Sequence, residues 1–264
     1  MLLSIITPTY KRSNLLKKNI KIIDKLYLMF KSFEWILVIE RKDQETINFV
    51  KKNKKRYLKY KIGNYKGIEK SFSVGLLKSK GKYINFHGDD DFFIKKSIKL
   101  INQKLFKNNY EWIIFHGDYV DGKFNKIRKL MSSIKFFFLK NNNLFDISLI
   151  NYVMTPSIFI KKKLLIKYGG FGKKKKPGSD YMLWLKVNYY HKPKIFLNTL
   201  TSAMITKNTV SGKFEISRYL FLLKKMMIFT RYNIVIKIII VLLMMFTIIY
   251  KLLSKILITK FFKI

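Results

Sequence analysis

The sequence contains no cysteine, and this absence excludes several classes of functional site. Disulfides, thiolate zinc sites, iron–sulfur clusters and cysteine nucleophiles all require that side chain. Histidine is scarce too, because only three are present and no H-E-x-x-H motif occurs. We therefore do not expect a metal site built from histidine.

Acidic residues are few as well: 15 Asp and Glu stand against 54 Lys and Arg, and the formal net charge is +39. Such a charge favours nucleic acid, an anionic membrane or an anionic ligand as partner. Only six of the basic residues are arginine, and the abundance of lysine, isoleucine and asparagine is typical of an AT-rich genome. The charge alone therefore identifies no partner, but it makes each carboxylate conspicuous.

A secretory signal peptide is not apparent either. Met1–Pro8 is apolar but short, and Lys11 and Arg12 follow it, whereas a signal peptide carries its positive charge first. With 49% hydrophobic residues, the 264-residue chain can bury a substantial core. We expect the folded body to stay in the cytoplasm.

Apolar runs typical of buried strands alternate with helix-like segments through the first half of the chain. This alternation predicts an α/β fold with a mostly parallel sheet and helices on both faces. The predicted strands are Leu2–Thr7, Trp35–Ile39, Tyr57–Ile62, Tyr83–Phe86 and Trp112–Phe115. The predicted helices run from a Ser13 cap to about Phe30 and over Gln44–Lys52, Glu69–Leu77 and Lys95–Phe106.

Ligands of such sheets bind beyond the carboxyl ends of the strands. This rule nominates three stretches: Pro8–Arg12, Glu40–Asp43 and His87–Asp91. The chain divides by pattern into residues 1–121, a less regular region 122–211, and a tail 212–264. In the middle region we predict a strand at Ser157–Ile160 and helices at Lys161–Tyr168 and Tyr181–Tyr190.

The tail is apolar, helical in pattern and interrupted by lysines. Ile238–Tyr250 carries no charge and lies between Lys237 and Lys251, which makes it shorter than the about 20 apolar residues of a spanning helix. Three interpretations stay open: a helix lying in the plane of a membrane surface, a helical hairpin packed on the body, and a spanning helix with Lys237 extended to the interface.

Three consecutive carboxylates, Asp89, Asp90 and Asp91, form the strongest local signal. They repel one another by about 1 kcal/mol per close pair in water, and a divalent cation shared with a phosphate would relieve the repulsion. A solvated turn that caps a helix from Phe92 is the alternative. The position directly after a predicted parallel strand favours metal and phosphate.

Asp180 is the second conspicuous acid, because only Asp146, Asp180 and Glu215 follow Gly122. It precedes an apolar helix-like segment. It is therefore either a helix N-cap or a general base facing a pocket.

At this point the sequence resembles the family 2 glycosyltransferases, which are inverting enzymes of the GT-A fold. Ser4–Arg12 looks like their opening strand and loop, and Gly81–Ile84 followed by Asp89–Asp91 looks like their D-x-D metal motif. Gly169–Phe171 and Ser179–Lys186 resemble the G-G-F and D-Y-x-L-W-L segments that supply the catalytic base. The similarity covers roughly residues 3 to 211.

The resemblance implies a role for each matching residue. Asp180 would be the catalytic base, and Asp91 with Asp89 would bind Mn²⁺ or Mg²⁺. Residues 1–121 would bind the donor and residues 122–211 the acceptor. The implied nucleotide-sugar-binding residues are Thr7, Pro8, Thr9, Tyr10, Arg12, Glu40, Asp89, Asp90 and Lys207.

The sequence departs from the family pattern at three places. Val38-Ile39-Glu40-Arg41-Lys42 stands where V-D-D-G-S is common, which weakens the expected nucleobase contact. Gly88 stands where many relatives have an acid, and Ser179 replaces the glutamate of the commoner E-D pair.

The implied activity is the inverting transfer of a sugar from a nucleotide diphosphate, with UDP the family's usual nucleotide, to a hydroxyl of a glycan acceptor. The basic tail favours a lipid-linked acceptor at the inner face of a bacterial plasma membrane, where O-antigen, capsule and lipopolysaccharide sugars are assembled. Alternatives are a polyprenyl-phosphate glycosyltransferase, a catalytically inactive relative, and a basic nucleic-acid-binding protein. No nucleic-acid motif supports the last, so we expect no nucleic acid partner.

Overall fold

The computed structural model describes residues 1–65, 67–95, 98–120, 153–171, 179–204, 216–229 and 232–239, together with residues 133, 147, 241, 242, 245 and 249. Its strands are β1 (Leu3–Thr9), β2 (Phe33–Glu40), β3 (Leu58–Gly63), β4 (Tyr83–Phe86), β5 (Asp91–Phe93), β6 (Trp112–Val120), β7 (Ile158–Lys161) and β8 (Lys194–Met204). Its helices are α1 (Ser13–Met29), α2 (Gln44–Lys52), α3 (Ile68–Lys78), α4 (Ile98–Lys107), α5 (Lys162–Lys167), α6 (Ser179–Tyr190) and α7 (Ile216–Phe229).

One sheet with the order β3-β2-β1-β4-β7-β6-β8-β5 joins these strands. The strands β1 to β4 pair in parallel, so their carboxyl ends meet at one edge of the sheet. Beyond β4 the sheet is mixed, because β7 is antiparallel to both β4 and β6 while β8 is parallel to β6. The amino end of β7 therefore lies at the same edge as the carboxyl end of β4.

Two hydrophobic clusters cover the two faces of the sheet. One contains residues of α1, α2 and α4, such as Leu16, Ile47 and Ile101, and the other contains residues of α3, α5 and α6, such as Phe72 and Trp184. Helices on both faces were predicted and are confirmed. Alternate residues of the buried strands point to opposite clusters, as the period of a strand requires.

Several predicted boundaries differ from the structure. Ser13 is not an N-cap: it lies in the first turn of α1, where its hydroxyl donates to the Glu45 carboxylate. Arg12 holds the cap position, but its side chain makes no hydrogen bond to the first turn of the helix. Phe92 does not begin a helix, because residues 91–93 form β5 on β8. The strand β8 was not predicted at all, and its pairing with β6 continues that strand to Val120.

The predicted division at residues 121 and 211 stays a prediction, although β7 and β8 from the middle region join the same sheet as β1. In the tail, α7 packs on α6, with the rings of Tyr189 and Phe229 6.4 Å apart and Met226 buried. Within the residues that the structure describes, no helix is long and apolar enough to cross a membrane.

Candidate active site

Asp43 joins the β1–α1 loop to the β2–α2 loop at the edge where the carboxyl ends of the parallel strands meet. Its Oδ1 accepts a hydrogen bond from the Thr46 backbone and so caps α2, while its Oδ2 accepts one from the Lys11 backbone at 2.5 Å. Lys11 has a φ of 54°, in the left-handed region that a non-glycine residue adopts only when it is held there. The buried Asp43 carboxylate supplies that restraint.

Arg12 links the β1–α1 loop to the carboxylate cluster after β4. Its Nη1 lies 2.8 Å from Asp89 Oδ1 and 3.0 Å from Asp90 Oδ2. The buried Asn19 adds a second tie, because its amide donates to the Asp89 backbone carbonyl at 3.0 Å. Arg12 thus offsets part of the repulsion among the three acids, and its side chain remains 39% exposed.

Asp89 is deeply placed, with 4% of its surface exposed. Burial raises the pKa of Asp89, and the Arg12 guanidinium acts in the opposite direction. The predicted role of Asp89 as a metal ligand therefore competes with an ion pair that already occupies one of its oxygens.

Asp91 is held by its own turn. Its Oδ2 accepts a hydrogen bond from the Gly88 backbone at 2.7 Å, and burial, followed by the charge of Asp90, raises the pKa of Asp91 to about 7. A Cβ at position 88 would lie 2.7 Å from both Asp90 Oδ1 and Asp91 Oδ2. Glycine at this position is thus explained: the two carboxylates converge on the space that a side chain would fill.

His87 forms the buried floor of this turn. Its ring stacks on Phe93 with centroids 4.3 Å apart, and burial lowers the pKa of His87 to about 4. The ring is therefore neutral near pH 7, and the proton is assigned to Nε2, which lies 2.9 Å from the Asp91 carbonyl oxygen and donates to it.

Asp180 lies in the first turn of α6, two residues after the position that an N-cap would take. Its Oδ1 accepts from the Tyr181 backbone at 2.8 Å, and its Oδ2 accepts from the Thr155 hydroxyl at 3.1 Å. These two donors fix the orientation of a half-buried carboxylate that has further lone pairs available.

Thr155 lies in a short 3-10 turn, Thr155–Ser157, that leads into β7. The buried side chain of Asn85 holds this turn, donating to the backbone carbonyls of Pro156 and Ile158 at 2.8 Å each. Asn85 belongs to β4, the strand whose end carries Asp89–Asp91. The same four-residue strand therefore positions both carboxylate groups.

Sequence reasoning missed Glu69 as well as Thr155. Glu69 is buried at the start of α3, and Ser179 Oγ donates to its Oε1 at 3.3 Å. A glutamate at position 179 would bring a second carboxylate next to Glu69, so the serine fits this environment. The only sequence signal was that Glu69 opens a helix after a strand, which is common for structural reasons.

The other predicted nucleotide-binding residues differ in burial and in what they contact. Thr7 is fully buried and accepts a hydrogen bond from the Trp35 indole at 2.9 Å, which argues against contact between its side chain and a ligand. Pro8, the mostly buried Thr9 and the exposed Tyr10 continue to the open edge. Glu40 accepts from the Tyr65 backbone at 2.9 Å and so secures the chain after β3. Lys207 lies outside the described residues.

The carboxylates fit a hard divalent cation only in part. No group of three or more histidine or acidic side chains converges on one point among the residues described. The oxygens of Asp90 and Asp91 around Gly88 supply the donor type that Mn²⁺ and Mg²⁺ prefer, and diphosphate oxygens would have to complete the shell.

Comparison with known proteins identifies the family of this chain. The sequence profile described as Glycosyl transferase family 2 matches residues 4–169. Among curated proteins, none matches the sequence. The fold is similar to Staphylococcus aureus TarS 1-349 in complex with UDP-GlcNAc, at 16% identity and a TM-score of 0.66, covering 90% of this chain and 69% of that one. The complex of the same protein with UDP gives a TM-score of 0.65 at 16% identity, covering 90% and 68%.

A second solved structure with this fold is the mannosyltransferase PcManGT from Pyrobaculum calidifontis in complex with GDP-Man and Mn²⁺. It is 12% identical, with a TM-score of 0.56, over 84% of this chain and 60% of that one. At these identities the likeness concerns the fold, which is the GT-A fold expected from the sequence.

Proposed function

Because the chain belongs to glycosyl transferase family 2, and is therefore a glycosyltransferase, we propose that it transfers a sugar from a nucleotide diphosphate to an acceptor hydroxyl with inversion. One observation carries the proposal: β4 positions two separate carboxylate groups at one edge of the sheet. Asp89–Asp91 follow the strand directly, and Asn85 within it holds the turn whose Thr155 bonds Asp180. A donor site and an acceptor base need this adjacency.

Asp180 acts as the general base in this mechanism. It takes the proton of the acceptor hydroxyl while that oxygen bonds to the anomeric carbon, and the bond from that carbon to the diphosphate oxygen breaks with its electron pair. Thr155 and the Tyr181 backbone keep the carboxylate oriented during attack from the opposite face. A single carboxylate performs the proton transfer, unlike the paired acids of glycosidases.

Asp91, with Asp90 beside it, would hold a divalent cation at the diphosphate end of the donor. Mn²⁺ or Mg²⁺ bound there would neutralise charge on the leaving diphosphate. Arg12 holds Asp89 and Asp90 against their repulsion, and its half-exposed guanidinium faces an anionic donor at low cost. Pro8, Thr9, Tyr10 and Glu40 line the way to the nucleoside. For Lys207, which lies outside the described residues, the family resemblance implies a role at the diphosphate.

We further propose a UDP-sugar as donor and a lipid-linked glycan as acceptor. The complexes of TarS with UDP and UDP-GlcNAc support UDP as the nucleotide of the donor. The complex of PcManGT with GDP-Man and Mn²⁺ supports a divalent metal, and it is the reason to include GDP-sugars among the donors tested. The net charge of +39 and the apolar, basic tail support a peripheral enzyme of surface polysaccharide synthesis, of the O-antigen, capsule or lipopolysaccharide type, at the inner face of the plasma membrane.

Nucleotide release by the purified chain tests this proposal. UDP-, GDP- and dTDP-sugars would be supplied with Mn²⁺ or Mg²⁺ and lipid-linked acceptors, with Asp91→Ala and Asp180→Asn beside the wild type. Asp24→Asn is a matched control, because Asp24 is a carboxylate on α1 that pairs with Lys55 outside the site. We expect metal-dependent release from one donor, lost in both site variants and kept in the control.

Two results would contradict parts of the proposal. Undiminished transfer by Asp180→Asn would overturn the assignment of Asp180 as general base. It would indicate a phosphate oxygen as the nucleophile, as in a polyprenyl-phosphate glycosyltransferase. Full activity after removal of divalent cations with a chelator would overturn the metal assignment.

A further inference from the structure

A second helix follows α7 in the tail. Asn233 caps it, because its Oδ1 accepts from the Ile236 backbone and its carbonyl oxygen accepts from the Lys237 backbone, both at 3.1 Å. Residues 234–239, 241, 242, 245 and 249 are helical, and we call this segment the terminal helix. An asparagine cap satisfies backbone donors that would otherwise lack partners at a helix start.

One side of the terminal helix is anchored on the body. Ile236 and the preceding Tyr232 pack against the hydrophobic cluster that contains Trp184 of α6 and Met226 of α7. The anchor fixes which side of the helix faces outward.

The outward side is a stripe of large apolar residues. Successive steps of four, four, three and four residues from 234 to 249 place its members on one helical face, and two neighbours widen it to an arc of about 140°. Between 44% and 67% of each side chain is exposed. The members of this apolar stripe are Ile234, Val235, Ile238, Ile239, Leu242, Met245 and Ile249.

The charge of the tail sequence indicates what covers the apolar stripe. Residues 216–264 contain nine lysines and arginines and no acidic residue. Contiguous exposed apolar surface of this kind marks an interaction site, and an apolar face flanked by basic residues suits anionic lipid headgroups. A second copy of the chain is disfavoured, because it would bring two such basic segments together.

We propose that the apolar stripe docks on an anionic lipid bilayer, with the terminal helix lying in the plane of the interface. This inference rests on the peripheral membrane location in the proposed function and names the surface responsible for it. The docked surface is connected to the helix that carries Asp180, because Tyr232 and Ile236 pack on the hydrophobic cluster to which Trp184 of α6 belongs.

Vesicle flotation of the full chain tests the proposal without any sugar transfer. The vesicles would be phosphatidylcholine alone or with 30% phosphatidylglycerol, and the variant Ile238→Ser/Leu242→Ser removes apolar area without changing charge. Leu28→Ser/Leu77→Ser is the matched control, since these residues are 77% and 79% exposed and lie on α1 and α3.

We expect binding to the anionic vesicles that falls at least about tenfold in the stripe variant and stays unchanged in the control. Equal binding by both variants would overturn the proposal, and so would equal binding to both kinds of vesicle. A wild-type dimer that the stripe variant abolishes, without vesicle binding, would assign the stripe to a second copy instead.

A single variant, Ile238→Trp, provides a second measurement. It introduces no polar side chain, so it does not depend on whether the fold tolerates serine in the terminal helix. The three native tryptophans are buried, so brominated lipids should quench mainly the new indole. Quenching supports insertion, and its absence overturns the proposal. Neither assay involves donor or acceptor, so their failure is distinguishable from failure of the glycosyltransferase assignment.

Discussion

The two carboxylate groups of the site differ in how the chain holds them. Asp91 is restrained by the Gly88 backbone within its own turn and is crowded by Asp90, so that its ionised form is disfavoured. Asp180 is restrained from another region of the chain, by a threonine hydroxyl 25 residues away, and has no acidic neighbour in its turn. The first arrangement places like charges together, which a cation can relieve. The second fixes the orientation of the carboxylate that we propose as the base.

The largest expected effect comes from Asp180→Asn. The amide keeps the size of the side chain but cannot take a proton, so transfer to a hydroxyl should fall by about 10²- to 10⁴-fold. Donor binding, measured by calorimetry with Mn²⁺, should stay unchanged. A loss of donor binding in this variant would show that the two groups are not separate in function.

Asp91→Asn should stabilise the metal-free protein at neutral pH. The folded-state pKa of about 7 is above the unfolded value, so the stability associated with protonated Asp91 is complete below about pH 4 and is lost as pH rises through 7. The variant avoids that loss, so its advantage in unfolding free energy should grow from about zero near pH 4 to about 2–4 kcal/mol near pH 8.

Denaturant unfolding in chelator across this pH range measures that difference. His87 has a lowered pKa and loses stability as pH falls, but it contributes to both proteins and cancels. A difference independent of pH would contradict the burial of an ionisable Asp91.

Thr155→Val should lower kcat by about 10- to 150-fold and leave the KM for the donor unchanged. Valine keeps the shape of threonine but removes a hydrogen bond to a charged group, which is worth about 1.5–3 kcal/mol. Thr155→Ser should restore most of the rate, because it returns the hydroxyl. Failure of the serine to rescue would indicate a packing role instead of a positioning one.

The smallest expected effect is that of Ser179→Ala. Its hydrogen bond to Glu69 is long, at 3.3 Å, so its loss should lower the unfolding free energy by about 1 kcal/mol. Thermal unfolding measures this change, with Ser73→Ala as a comparison, because the half-buried Ser73 hydroxyl donates to the Glu69 backbone carbonyl and not to its carboxylate. An unchanged or higher Tm for Ser179→Ala would show that the contact between Ser179 and Glu69 does not stabilise the fold.

The first half of the fold was predictable because its strands are buried apolar runs and its helices carry apolar residues at helical spacing. The strand β8 was not, since Lys194–Met204 mixes polar and apolar residues and becomes a strand through pairing with β6 and β5. The register of those pairs joins residues that are far apart in sequence, which local patterns do not encode.

The candidate site divides in the same way. Three adjacent acids and a lone Asp180 stand out in a chain with 15 acidic residues, so composition alone draws attention to them. Thr155, Asn85 and Glu69 gain their importance only from contacts across the fold. The binding role that the matching motif implies for Thr7 stays a prediction; in the structure its hydroxyl accepts a hydrogen bond from the Trp35 indole.

The hydrogen bonds of Asn85 have a consequence for how such enzymes diversify. Both of its partners are backbone carbonyls, so the tie between β4 and the turn before β7 does not depend on the side chains of that turn. Sequences after β6 can therefore be exchanged while the anchor survives, provided that the turn geometry is kept. If residues 1–121 bind the donor and residues 122–211 the acceptor, as proposed, a chimera joined between β6 and Thr155 would inherit its donor chemistry from one parent and its acceptor preference from the other.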